Sequence, residues 1–134
     1  MLSSHKSATR KLINPNVMKY EIKEQFNCVV IEFKGDIVGG PHAIKFREDL
    51  HELIEQGKTN VIVNLGKVKF MNSSGLGILI GALTTMKKAD GKLVICEANK
   101  KIESLLMMTQ LIKVFEHYQS LDEAIDSFQK KAVE

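Results

Sequence analysis

A chain of 134 residues, 44% hydrophobic and 26% charged, has the size and balance of one ordinary globular domain. That excludes a disordered or fibrous chain. Its net charge of +3 is spread along the sequence, with no arginine block and no interleaved aromatics of the kind that binds nucleic acid. No apolar stretch approaches the roughly 18 residues that cross a bilayer, so no membrane insertion is expected. Met1–Asn16 has no apolar core of a secretory signal, which makes the cytoplasm the expected compartment. Cys28 and Cys96 lie far apart in apolar runs and read as small buried hydrophobes rather than a disulfide. No His/Cys spacing fits a metal, and no cofactor is expected.

Residues 1–17 read as a flexible polar tail and residues 18–134 as a single domain. Met18–Lys23 alternates with the period of a half-buried strand, and Cys28–Phe33 is a second strand closed by Gly35. The two are expected to pair as a hairpin. Pro41 suits the first turn of a helix, which continues through Ala43, Phe46, Leu50 and Leu53 to Gly57. Val61–Leu65 is a mostly apolar run of the kind found in strands covered on both faces. A loop is expected over Lys67–Met71, then a helix over Gly75–Lys88 with Leu76, Leu79, Ile80, Leu83 and Met86 as its apolar stripe. Asp90-Gly91 marks a turn, and Leu93–Cys96 a further buried strand. Asn99 can cap a third helix, Val114-Phe115 reads as a short last strand, and Ser120 opens a fourth helix through a capping box. Strands alternating with helices imply an α/β domain: a mixed, mainly parallel sheet with an N-terminal antiparallel hairpin and about four helices.

The most informative segment is Val68–Gly77, where two serines stand at the start of the second helix. Two readings fit them. Ser73 or Ser74 can be the N-cap, accepting bonds from the free N–H groups of the first turn. The same place exposes a hydroxyl where a phosphate would meet unpaired N–H groups and the positive end of the helix dipole. Gly75 and Gly77 leave room for a partner backbone or kinase loop to come close. Lys67 and Lys69 either steer an acidic partner or are solvated loop charges. Ile78, Ala82 and Thr85 lie off the apolar stripe, as the edge of a binding face or a partly covered flank.

The stretch Phe70-Met71-Asn72-Ser73-Ser74-Gly75-Leu76-Gly77 resembles the signature of bacterial anti-sigma factor antagonists of the STAS family, which usually reads D-S-S-G-L-G. Gly35-Asp36-Ile37 resembles the family's G-E-L segment, Gly91-Lys92-Leu93 its G-x-L, and Thr109-Gln110-Leu111 through Val114-Phe115 its T-G-L-x-x-x-F close. Asn72 replaces the usual Asp before the serines, and Val38 stands where the family commonly has an Asp. The resemblance covers Met18 to about Ala132 and implies the STAS fold.

It also implies a function: a non-enzymatic, protein-binding switch. In that family the second serine, here Ser74, is the phosphoacceptor. The unphosphorylated antagonist sequesters an anti-sigma factor that is itself a serine kinase, and a PP2C-type phosphatase restores it. Asn72, Ser73, Gly75, Leu76, Ile78 and Lys69 are the expected partner-binding residues beside Ser74. The alternative is a non-phosphorylated STAS subunit of a lipid-transport or stress-signalling complex. Two further ideas fall away. The glycines at 75, 77 and 81 miss the G-x-G-x-x-G spacing by one residue. His42, His51 and His117 give Ser74 no paired base and carboxylate of a hydrolase.

Overall fold

The computed structural model describes residues 18–133 apart from 26 and 41, with side chains as far as 129. The tail expected over residues 1–17 and the helix-opening Pro41 lie outside the described residues.

Successive side chains of a strand point to opposite faces, so a run that is apolar throughout needs cover on both sides. Strands β1 (Lys19–Glu24), β2 (Val29–Ile37), β3 (Asn60–Met71), β4 (Lys92–Cys96) and β5 (Glu116–Tyr118) form one sheet in that order. Val61, Val63 and Leu65 of β3 face one core, and Ile62 faces the other. Helices α1 (His42–Glu55), α2 (Ser73–Lys88) and α3 (Lys100–Met108) fill the larger core with Phe46, Leu50, Leu79, Leu83, Ile102 and Leu106. Helix α4 (Leu121–Val133) fills the smaller one, setting Ala124 and Phe128 against Cys28, Val30, Ile62, Val94 and Cys96.

The expected mixed sheet is present. β1 and β2 form the antiparallel hairpin, and β2, β3, β4 and β5 are parallel to one another. β1 is an edge strand carrying exposed Lys19, Glu21, Lys23 and Glu24, and the opposite edge, β5, is three residues long. β1 is held to α1 by three rings. Tyr20, Phe33 and Phe46 lie with centroids 5.2–5.4 Å apart, each from a different element. The Tyr20 hydroxyl donates to Asp49 of α1. Burial, together with that carboxylate, raises the phenol far above its ordinary range, so it stays a donor.

Three expectations need correction. β2 does not close at Gly35 but runs on to Ile37, with Gly35 in a left-handed conformation (φ 79°) within it. The segment expected as a loop over Lys67–Met71 belongs to β3. Its pairing with β2 shifts between Glu32 and Lys34 and again between Gly35 and Ile37. The Asn64 side chain turns back to accept the Gly66 N–H at 2.8 Å. Beyond this irregularity Leu65, Val68 and Met71 are the buried positions, a spacing of three that hides a strand from any period-two reading. Lastly, Val114-Phe115 is not the final strand. A short 3-10 turn over Leu111–Lys113 precedes it, and Phe115 donates its N–H back to the Leu111 carbonyl at 3.1 Å. Phe115 is buried as a plug, and pairing begins one residue later.

Both cysteines are free and buried in the smaller core. Burial, helped by the Glu97 carboxylate, pushes the Cys96 thiol up to about 12, and burial also raises Cys28. The thiolate is the reactive form. Native protein should therefore leave Ellman's reagent unreacted at mildly alkaline pH, with both thiols titrating once denaturant is added. Rapid reaction of either thiol in the native state would contradict this packing.

Candidate functional site

β3 delivers the chain to the top of the sheet at Met71, and α2 begins two residues later. The N-cap is Asn72, not either serine. Its backbone is extended (φ −100°, ψ −176°) and its Oδ1 accepts the Gly75 N–H at 2.8 Å. The expectation of a serine cap is thereby replaced: Ser73 and Ser74 are the first two helical residues. Both are exposed, and neither hydroxyl has a hydrogen-bond partner among the described residues. An amide performs the capping, so the family's usual carboxylate is not needed for it. The first turn contains no acidic residue, and its positive end is left uncompensated.

The first turn is packed from two sides. A Cβ at Gly75 would lie 1.8 Å from the Ile37 carbonyl oxygen, so α2 rests on the end of β2 at a distance only glycine permits. Gly39, just past that strand at φ 89°, lies against Ser74: a Cβ there would come within 2.8 Å of the serine Cβ. The strand that leads to this turn is tied to α3: Asn99 caps α3 through its Oδ1 and donates its Nδ2 to the Val68 carbonyl at 3.1 Å.

The expected binding residues divide accordingly. Gly75 and Leu76 are buried, the first against β2 and the second in the larger core, so they hold the helix in place and offer no side chain to a partner. Asn72 is half-buried as the cap. Ser73, Ser74 and Lys69 are exposed, and Ile78 is half-buried. Lys67 pairs with Glu32 at 3.7 Å, whereas Lys69 has no partner among the described residues. Ala82, expected off the apolar stripe, is buried.

A groove of about 210 Å³ runs between α1 and α2, lined by Ala43, Phe46 and Arg47 on one side and Ser74, Gly77, Ile78 and Gly81 on the other. Sequence reasoning missed Arg47, Gly39 and Gly81. It also missed Phe70, which is 49% exposed two residues before the cap. The one sequence signal for Arg47 is its place off the apolar stripe of α1. Among the described residues no cluster of His, Cys, Asp or Glu forms a metal site, and no helix is long and apolar enough to cross a membrane.

A mixed five-stranded sheet with an antiparallel hairpin at one edge and a serine pair at the start of its second helix is the frame of one known domain family. The chain belongs to the STAS domain family, whose model matches residues 19–124. It is 29% identical over 73 residues to the anti-sigma F factor antagonist of Paenibacillus polymyxa, covering 54% of this chain and 62% of that protein, just under two thirds of its length. It is 32% identical over 78 residues to an anti-sigma-B factor antagonist of Staphylococcus epidermidis, covering 55% of this chain and 72% of the other. Among solved structures it is similar to the Bacillus cell fate determinant SpoIIAA in its phosphorylated form, with a TM-score of 0.65, 21% identity, and 82% of this chain and 99% of that one covered. That likeness establishes the shared fold.

Three substitutions at two positions separate these roles. Asn72→Ala should destabilise the domain by about 1 kcal/mol, while Asn72→Asp, which keeps the acceptor and adds charge at the dipole, should be neutral or slightly stabilising. Gly75→Ala should cost about 3 kcal/mol, because a backbone carbonyl cannot yield as a side chain does. Urea unfolding measures all three, and a harmless Gly75→Ala would show that α2 is not clamped on β2.

Proposed function

We propose that this chain is an anti-sigma factor antagonist whose affinity for its partner is set by phosphorylation of Ser74. The observation that carries the reading is the position of Ser74. It is exposed at the mouth of the groove, and Asn72 relieves it of any capping duty. The fold does not use its hydroxyl, so modification there changes the surface and not the domain.

In the unmodified state the first turn of α2, Ser73, Ile78 and the groove receive an anti-sigma factor, and Lys69 stands beside that face. Two glycines support this use of the groove. Gly77 and Gly81 sit inside α2, where glycine costs about 1 kcal/mol relative to alanine. A Cβ at either would meet nothing within 4 Å. Their lack of a side chain serves no contact among the described residues, and it leaves the groove open to a partner's backbone.

The partner is a serine kinase in this reading. It passes the terminal phosphoryl group of ATP to Ser74 Oγ: the new O–P bond forms, ADP leaves, and the hydroxyl proton goes to a base of the kinase. The added charge of roughly −1.5 to −2 would be buried unpaired in the complex, which costs several kcal/mol. A penalty of about 3–4 kcal/mol lowers affinity by roughly a few hundredfold, sufficient for a switch. A PP2C-type phosphatase hydrolyses the ester and restores binding.

Pull-downs from the native cell with wild-type and Ser74→Asp baits test the reading. Wild type should capture an anti-sigma factor of the kinase type that the Asp form loses, with circular dichroism unchanged between baits. Identical partners on both baits would sink it. Gly77→Ala and Gly81→Ala should each stabilise the isolated domain by about 1 kcal/mol while weakening capture of that partner. A gain in stability with undiminished capture would remove the groove from the interface.

A further inference from the structure

Arg47 stands on α1 with no acid at the positions a helix brings beside it. Three and four residues before it are Ile44 and Ala43, and after it Leu50 and His51. It has no ion pair among the described residues, whereas Lys45 on the same helix is taken by Asp49 at 2.7 Å. A lone exposed guanidinium is ordinarily a solvated charge. This one differs because it lines the groove that has Ser74 at its mouth, and no acidic side chain lines that groove.

The topology sets both residues on one groove. β2, β3 and β4 are parallel, so α1 and α2, each returning from the end of one strand to the start of the next, run in the same direction. Ser74 lies in the first turn of α2 and Arg47 in the second turn of α1. Counted from its own helix start, Arg47 is the sixth residue of α1 and Ser74 the second of α2, a difference of about one turn. Helical side chains lean toward the N-terminus of their own helix, which carries the guanidinium toward the serine.

We propose that Arg47 is the internal receptor for the phosphate on Ser74, an inference that rests on Ser74 being the phosphoacceptor. The guanidinium donates its N–H groups to the phosphate oxygens, a match of planar fork to tetrahedral anion that a lysine does not reproduce. The pair spans the groove from α2 to α1 and closes its mouth. Phosphorylation thus removes the groove as well as the neutral serine surface, and it does so within the chain itself.

The test uses the full chain with phosphoserine installed at position 74 during translation, which bypasses any kinase. Phosphorylation should move the Arg47 Nε–H resonance and slow its exchange with water about tenfold, the factor equivalent to 1.4 kcal/mol. Arg47→Gln assigns that resonance. In the phosphorylated chain it should also speed dephosphorylation by alkaline phosphatase several-fold, while Lys69→Gln leaves the rate unchanged. An unmoved Arg47 resonance overturns the proposal, as does an equal rate in Arg47→Gln. So does acceleration by Lys69→Gln in its place. Because the phosphate is installed directly, such a failure leaves the switch itself to be judged by the pull-down.

Discussion

The first turn of α2 lies on the end of β2 so closely that only a hydrogen atom fits between Gly75 and the Ile37 carbonyl. Everything at the site follows from this approach. It places Asn72 within reach of Ile37 through a long N–H···O contact of 3.4 Å and leaves that residue as the cap. It turns Ser73 and Ser74 outward. It also obliges the chain leaving β2 to pass beside the serine, where Gly39 supplies the left-handed turn and the absence of a side chain. A larger residue at 75 would lift the helix and disturb all of these together. The helix start is thus carried on a strand end.

The parts of the fold legible in the sequence were those where one residue pattern has one physical solution. Val61–Leu65 is apolar at every position but Asn64 because both faces of its strand are covered, and Phe46, Leu50 and Leu53 recur at helical spacing because one face of α1 is buried. The misread parts were those decided elsewhere in the molecule. Nothing local tells that β3 continues past Gly66, since a shift in pairing with β2 replaces alternation by a spacing of three. Phe115 is apolar because it plugs the core, and burial alone does not distinguish a plug from a strand.

The same distinction runs through the site. Ser74 was legible because its neighbours resemble a known signature. Which of three adjacent polar residues caps the helix was not, since Asn72, Ser73 and Ser74 are all competent caps and the choice depends on where β3 ends. Leu76 carried two readings, one as the first residue of the apolar stripe and one as a partner-binding residue of the motif, and it is core. Arg47 and Gly39 belong to the site only through tertiary proximity. They lie 27 and 35 positions before Ser74, by subtraction of their numbers, and no spacing along the chain connects them.

The two edges of the sheet decide where a partner can approach. An edge strand with unpaired backbone groups is an open template, and many binding domains use it to take up a strand from another protein. Here β1 spends its edge on alternating lysines and glutamates, and β5 ends after three residues. Neither offers a long flat border for main-chain addition, and the same features discourage edge-to-edge stacking of copies into fibrils. In the proposed switch, recognition therefore falls to the helices, where the charge of one phosphate is set against the neutral surface of one serine.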